Sequence, residues 1–236
     1  MHKSAIAQDV IDLVVKRRGR RHVYDRLAPR STALVVIDMQ NTFMKESAPA
    51  EVPVARDIVP NINRLAAALR QAGGTVAWVQ MTLARGGADD WKPFFDDLNA
   101  PDRSKRMLDW LSEGHDGWRL WPTLDVQKSD LVVQKNRYSA FLMGASDLPE
   151  ILAGRGVDTV VITGTLSNIC CESSARDAMM RNFKTVMVSD ANAALTDFDH
   201  QAALTSIYRA FGDVLTTDEV LAALKAGAGA ARSAAE

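Results

Sequence analysis

The stretch Val160-Val-Ile-Thr-Gly164-Thr-Leu-Ser-Asn-Ile-Cys170 joins a β-branched apolar run to a glycine turn and then to an amphipathic segment reaching residue 182. A continuous apolar run of strand length reads as a strand buried on both faces, and the helical period after it makes a strand–turn–helix unit. The same unit recurs outward in both directions. Toward the N-terminus, residues 33–37 form an apolar run ending at Asp38. Residues 59–72 follow as a helix, with Val59, Ile62, Leu65, Leu69 and Ala72 on one face and Gly73-Gly74 as its stop. Residues 75–80 and 130–134 read as strands, and 146–153 as a helix with Ser146 as N-cap. The central strand spans 158–163 and the helix after it 170–182. Toward the C-terminus come a strand at 184–189, a helix at 199–211, a short strand at 213–215 and a closing helix at 217–224. The expectation is a single α/β domain, Rossmann-like, with about six mostly parallel strands and helices on both faces. It occupies residues 31–226, between an N-terminal arm of 1–30 and a flexible tail of 227–236 with little to bury.

Residues 89–121 break the pattern. They carry Trp91, Trp110, Trp118 and Trp121 with Phe94 and Phe95 and have no clean period, which predicts short helices and loops laid over the sheet edge. Such aromatics fill a core, a subunit interface or a pocket wall.

The 236 residues are 47% apolar and 24% charged, with a net charge of −1, so no global basic field exists to hold nucleic acid or an anionic membrane. The local run Lys16, Arg17, Arg18, Arg20, Arg21 and His22 reads as a solvated arm or subunit contact ahead of an anion site. No apolar run approaches the length of a membrane span, and the opening Met1-His2-Lys3-Ser4 lacks a secretory signal. The two cysteines, Cys170 and Cys171, are adjacent and cannot staple a fold, which points to a reducing cytoplasm. His2, His22, His115 and His200 have no metal-ligand spacing, so neither a metal nor another cofactor is expected.

In a parallel sheet, ligands bind beyond the carboxyl ends of the strands. Three such ends carry capable side chains: Asp38, Lys135 and Cys170. A thiol in a first helical turn meets unpaired N–H groups and the positive end of the helix dipole. That setting is expected to pull its pKa below the free value of about 8.5 and to bind an oxyanion formed beside it. A carboxylate at the rim of a buried strand gains proton affinity and suits proton transfer. A lysine nearby steadies both charges. Each residue alone also fits a plain role: buried cysteine, turn aspartate, solvated lysine. Cys171, about 100° further round a helix, faces elsewhere and reads as core.

Taken together the three motifs are specific. Asp38-Met-Gln after an apolar strand, Lys135 ahead of Arg-Tyr-Ser-Ala-Phe, and Ser167-Asn-Ile-Cys170-Cys-Glu-Ser-Ser-Ala-Arg-Asp-Ala178 resemble the isochorismatase-like cysteine hydrolase family, in order and spacing, from about residue 32 to 224. The Lys-Asn-Arg-Tyr-Ser-Ala-Phe segment is most similar to ureidoacrylate and other ureido or carbamoyl amidohydrolases.

The resemblance implies a catalytic triad of Asp38, Lys135 and Cys170. It also implies a cis peptide between Thr165 and Leu166, and an oxyanion hole from the N–H groups of Leu166 and Cys170. The activity it implies is cleavage of a carbon–nitrogen bond in a small linear amide or ureido substrate through a thioester, with release of ammonia, in a homodimer or homotetramer. Gln40, Phe43 and Arg137 are candidate substrate contacts, Arg137 for a carboxylate or, alternatively, for an internal acid. Glu172 and Arg176 read as a structural pair, and His200 as a packing or capping residue. The chain departs from the family's nicotinamidases, because Val79-Gln80-Met81-Thr82 holds no histidine for their metal cluster. Unlike true isochorismatases, it keeps the cysteine. Cys171 stands where valine is commoner. A vinyl-ether or ester hydrolase, or a catalytically silent binding protein, are the rival readings.

Overall fold

The computed structural model describes residues 1–2, 6–86 and 90–233. Lys3 and Ser4 of the opening, Asp89 at the head of the aromatic segment and tail residues 234–236 lie outside the described residues.

Six strands form one parallel sheet: β1 (Thr32–Ile37), β2 (Thr75–Met81), β3 (Leu131–Lys135), β4 (Thr159–Thr165), β5 (Lys184–Ala193) and β6 (Asp213–Leu215), in the order β3-β2-β1-β4-β5-β6. The helices are α1 (Gln8–Arg18), α2 (Asn41–Met44), α3 (Val59–Gln71), α4 (Pro101–Trp110), α5 (Leu148–Gly154), α6 (Glu172–Met180), α7 (Asp197–Ser206) and α8 (Thr217–Ser233). All six residues of β1 are buried, as a strand covered on both faces must be. Its side chains alternate between two apolar layers. Leu34 and Val36 pack with α3 and α8, while Ala33, Val35 and Ile37 pack with α1, α5, α6 and α7. The expected fold class is therefore the observed one.

Strand order reverses between β1 and β4, and that reversal is where a parallel sheet opens a crevice at its carboxyl end. Ile37 and Gly164 face each other in register there, so Asp38 and the turn after β4 emerge side by side. A Cβ on Gly164 would stand 2.1 Å from the Ile37 carbonyl oxygen, and the residue has φ +114°, so only glycine allows this approach.

Several boundaries differ from the sequence expectation, each for a local reason. Strand β3 begins at Leu131, after an Asp130 engaged by Arg70 at 2.7 Å and by the Trp78 indole at 2.8 Å, and ends on Lys135, which pairs with Met81 of β2. Helix α5 starts at Leu148; the Ser146 hydroxyl still accepts from the Leu148 N–H, 3.2 Å away. Helix α7 begins at Asp197, two residues before the expected start at 199, with Thr196 as its N-cap, accepting from the Asp199 N–H. The aromatic segment contains a π-helical turn Pro93–Asp97, α4 and a short turn Asp116–Trp118. It lies over the end of β1, with Trp121 N–H donating to Met39 O and Asn41 N–H to Arg119 O.

The arm and tail are more ordered than their composition suggests. Helix α1 buries Val10, Ile11 and Val14. The basic run ties it down: Arg18 donates to the carbonyls of Tyr208 and Gly212 and lies 4.6 Å over the Tyr208 ring. Helix α8 runs through the glycines to Ser233, past the expected end near 224. Gly227 makes this possible, since a Cβ there would meet the Leu27 carbonyl at 2.0 Å. Among the described residues no helix is long and apolar enough to cross a membrane.

Candidate active site

Asp38 takes a left-handed backbone, φ +53°, as β1 ends. That conformation costs roughly 1–2 kcal/mol for an L-residue and is tolerated best by Asp and Asn. It is held from both sides: the Asp38 N–H donates to Val79 O at 2.9 Å, and the Thr165 hydroxyl donates to Asp38 O at 3.0 Å. The side chain is thereby turned into the crevice with no exposure to solvent.

Lys135 reaches it from two strands away. Its ammonium stands 2.8 Å from Asp38 Oδ2, with both side chains wholly buried. Its aligned hydrogen bonds go to Arg137 O at 3.0 Å and to the Met81 sulfur at 3.4 Å. The Cys170 thiol and the Met81 N–H are further donors beside Asp38, and the thiol interacts with Lys135 as well. The structure thus brings the three residues picked from sequence into one cluster.

Cys170 sits in a π-helical turn, Ser167–Cys171, that leads into α6. The peptide between Thr165 and Leu166 is cis, at the bond expected. The Leu166 carbonyl accepts from Ile169 N–H and Cys171 N–H, both at 3.1 Å, which closes the turn. Cys171 points the other way, 3.9 Å from Thr163 O within the core, as expected.

The electrostatics correct one expectation. Burial pushes the Cys170 thiol up, Lys135 pulls it down, and the Asp38 charge raises it again; the net direction is upward. A helix opening that is only 4% exposed cannot supply the solvated dipole end that would favour a resting thiolate. Burial also raises Asp38, against the opposing effect of Lys135. Burial works against the charge on Lys135, but Asp38 and Cys170 outweigh it and hold its pKa above the ordinary lysine value. These directions favour a thiol over a thiolate and keep the ammonium charged, with a carboxyl group of raised proton affinity beside the sulfur.

A cavity of about 320 Å³ opens onto Cys170. Phe43 and Leu166 line it, joined by Tyr138, Phe94, Met107 and Leu195. Gln40 does not. Its amide donates to Met81 O and Trp118 O and accepts from Met81 N–H, so it is a buried clip between the ends of β1 and β2. Arg137 is also outside this cavity: it donates to Asn136 O at 2.8 Å and lies 5.3 Å over Trp91. The guanidinium that does line the cavity is Arg103, on α4, steadied by Pro49 O at 2.7 Å and Asn99 Oδ1 at 2.9 Å. Glu51, the other charged lining residue, is already satisfied by Arg56 and the Ser47 N–H. Sequence reading missed Arg103, though the spacing of Arg103, Met107 and Leu111 puts all three on one helical face. The Glu172–Arg176 pair forms as expected, at 2.6 Å. Among the described residues no group of three or more His, Cys, Asp or Glu is arranged to hold a metal.

With this geometry in place, comparison with known proteins is informative. The isochorismatase domain family matches residues 32–219. Ureidoacrylate amidohydrolase RutB of Pseudomonas savastanoi pv. phaseolicola is 32% identical over 215 residues, covering 82% of this chain and 84% of that protein. A cysteine hydrolase from Pseudomonas syringae pv. phaseolicola superposes with a TM-score of 0.76 at 30% identity, covering 85% of this chain and 95% of that one. N-carbamoylsarcosine amidase from Thermoplasma acidophilum superposes with a TM-score of 0.64 at 28% identity, covering 80% and 97%.

Proposed function

The chain belongs to the isochorismatase family of hydrolases, and from that premise we propose that it is a metal-independent cysteine amidohydrolase acting on a small linear amide or ureido substrate. The observation that carries the reading is the buried meeting of Asp38 and Lys135 with Cys170, which lines a cavity. The ammonium supplies the positive charge that a nucleophilic thiolate needs. The amidohydrolase relatives support a carbon–nitrogen bond as the target.

Asp38 takes the Cys170 proton as the sulfur attacks the carbonyl carbon, and Lys135 balances the charge. The carbonyl π pair moves to oxygen, which the N–H groups of Leu166 and Cys170 receive. Collapse of the tetrahedral species breaks the C–N bond. The leaving nitrogen takes the proton from Asp38 and departs as ammonia, leaving a thioester, or a thiocarbamate from a ureide. Asp38 then takes a proton from water as it attacks the same carbon, and returns that proton to sulfur when the C–S bond breaks. Ammonia release from a panel of primary amides and ureides tests this; turnover confined to esters or vinyl ethers would replace it.

Asp38 must be ionised to act as base, and its pKa is raised by burial against the pull of Lys135. Activity is therefore lost as pH falls through a value above the ordinary carboxylate pKa of about 3.9. The acid limb of kcat/KM is expected above that value, and a limb at or below it contradicts Asp38 as the base.

Arg103 takes over the part that sequence reading gave to Arg137. Arg103→Gln is expected to raise KM for carboxylate-bearing ureides about 10- to 100-fold, the loss of a charge-assisted hydrogen bond of about 1.5–3 kcal/mol. Neutral amides of similar size keep their KM. An equal effect on both sets would remove Arg103 from substrate recognition.

A further inference from the structure

The proposed mechanism makes no use of one buried serine–histidine pair. The Ser167 hydroxyl, in the turn between Leu166 and Cys170, lies 2.7 Å from His200 Nδ1, and both residues are wholly buried. His200 Nε2 lies 2.9 Å from Ser189 O. A carbonyl can only accept, so Nε2 carries the proton and Nδ1 is left as acceptor for the serine hydroxyl. Burial, with His2 beside it, lowers the His200 pKa to about 4. The ring is neutral through the working range, and the arrangement Ser167 O–H···Nδ1, Nε2–H···O=C Ser189 stays fixed.

The surroundings hold that ring in place. His2 stacks on it at 4.6 Å between centroids and 19° between planes. His2 is itself held by Asp197 at 2.7 Å and accepts from the Ala194 N–H at 3.0 Å. Ala194 precedes Leu195, which lines the Cys170 cavity. The hydroxyl of Ser167 sits one residue past the Leu166 amide and three before the nucleophile. The turn has few other anchors through side chains: its backbone bonds are local, Leu166 O to the N–H groups of Ile169 and Cys171.

We propose that Ser167 and His200 are positioning residues, a brace that fixes the orientation of the Leu166–Cys170 turn against β5 and α7 so that its N–H groups and sulfur face the scissile carbonyl. The brace does not touch substrate. Its loss acts on the transition state, where the oxyanion forms, and leaves ground-state binding in the cavity nearly intact.

The kinetic arm of the test rests on the amidohydrolase reading. Ser167→Ala and His200→Gln, which keeps only the donor toward Ser189, are each expected to lower kcat about 30-fold with KM within about twofold. His200→Asn keeps an acceptor at the Nδ1 position and restores most of the rate. The Ser167→Ala/His200→Gln double variant loses no more than either single, because one bond is removed in all three. Unchanged kcat in the singles, or losses that multiply in the double, would overturn the brace. Amide hydrogen exchange of residues 166–171 in the folded protein needs no substrate and separates the two readings. Exchange there is expected to accelerate at least about tenfold in Ser167→Ala while the β1 and β4 amides stay protected. Unchanged exchange in the turn refutes the brace whether or not the wild type releases ammonia; failure of the wild type to turn over any amide refutes only the reading of function.

Discussion

Cys170→Ala is expected to lower turnover by at least about 10,000-fold, because the residual rate without a nucleophile comes only from binding and oxyanion stabilisation. The adjacent Cys171→Ser is expected to keep turnover within about threefold. The two sulfurs are one residue apart and both buried, yet one faces the cavity and the carboxylate while the other faces Thr163 O behind β4. Cys171→Ser instead costs stability of about 1–2 kcal/mol, the penalty for placing a hydroxyl in an apolar site. Steady-state ammonia release and thermal melting of both variants check the pair. Equal losses of activity would mean that the assignment of nucleophile is wrong.

Lys135→Met is expected to damage the protein in two ways. It removes the cation that balances the thiolate, and it leaves the Asp38 carboxylate buried with no opposite charge. Removing one partner of a buried ion pair costs about 3–5 kcal/mol, which for a chain of this size lowers Tm by on the order of 10 °C. Asp38 responds by holding a proton and ceases to be a base, so kcat falls by about 1,000-fold or more. The double variant Asp38→Asn/Lys135→Met removes both charges. It is expected to recover most of the lost Tm while staying inactive, since neutral groups of similar volume replace a pair whose desolvation is costly. A single Lys135→Met variant with wild-type Tm would contradict the ion pair at 2.8 Å. A double variant that recovers activity would contradict Asp38 as the base.

The sheet and three chemically capable strand ends were legible in the sequence because each is written locally. Residues 33–37 and 160–162 are β-branched-rich apolar runs of buried-strand length, and a parallel sheet delivers whatever follows its strands to one rim. Asp38 and Cys170 follow β1 and β4, which the crossover makes neighbours in the sheet, so the topology places them together. Phe43 does line the cavity, but the polar lining was not legible, for the opposite reason. Arg137 is close to Lys135 in sequence, but its carbonyl, not its guanidinium, faces the site. Gln40 stands two residues past Asp38, yet all three of its bonds go to main-chain groups of Met81 and Trp118. Arg103 arrives from a helix in the aperiodic aromatic segment, whose position depends on long-range contacts such as Arg103 with Pro49 O and Leu111 O with the Leu83 N–H. The protonation state of the thiol also escaped sequence reading, because it turns on how deeply the turn is buried. Ser167 and His200 lie 33 residues apart, and no local pattern signals that they meet.

The central claim is a covalent bond between the sulfur of residue 170 and the substrate carbonyl. Wild-type protein mixed with excess ureide, quenched in acid within the first turnover and digested with trypsin, yields residues 156–176 as one peptide containing both cysteines. Tandem mass spectrometry is expected to find the carbamoyl or acyl mass on Cys170 and none on Cys171. Steady release of ammonia with both sulfurs unmodified, or with the added mass on Cys171, would contradict the account.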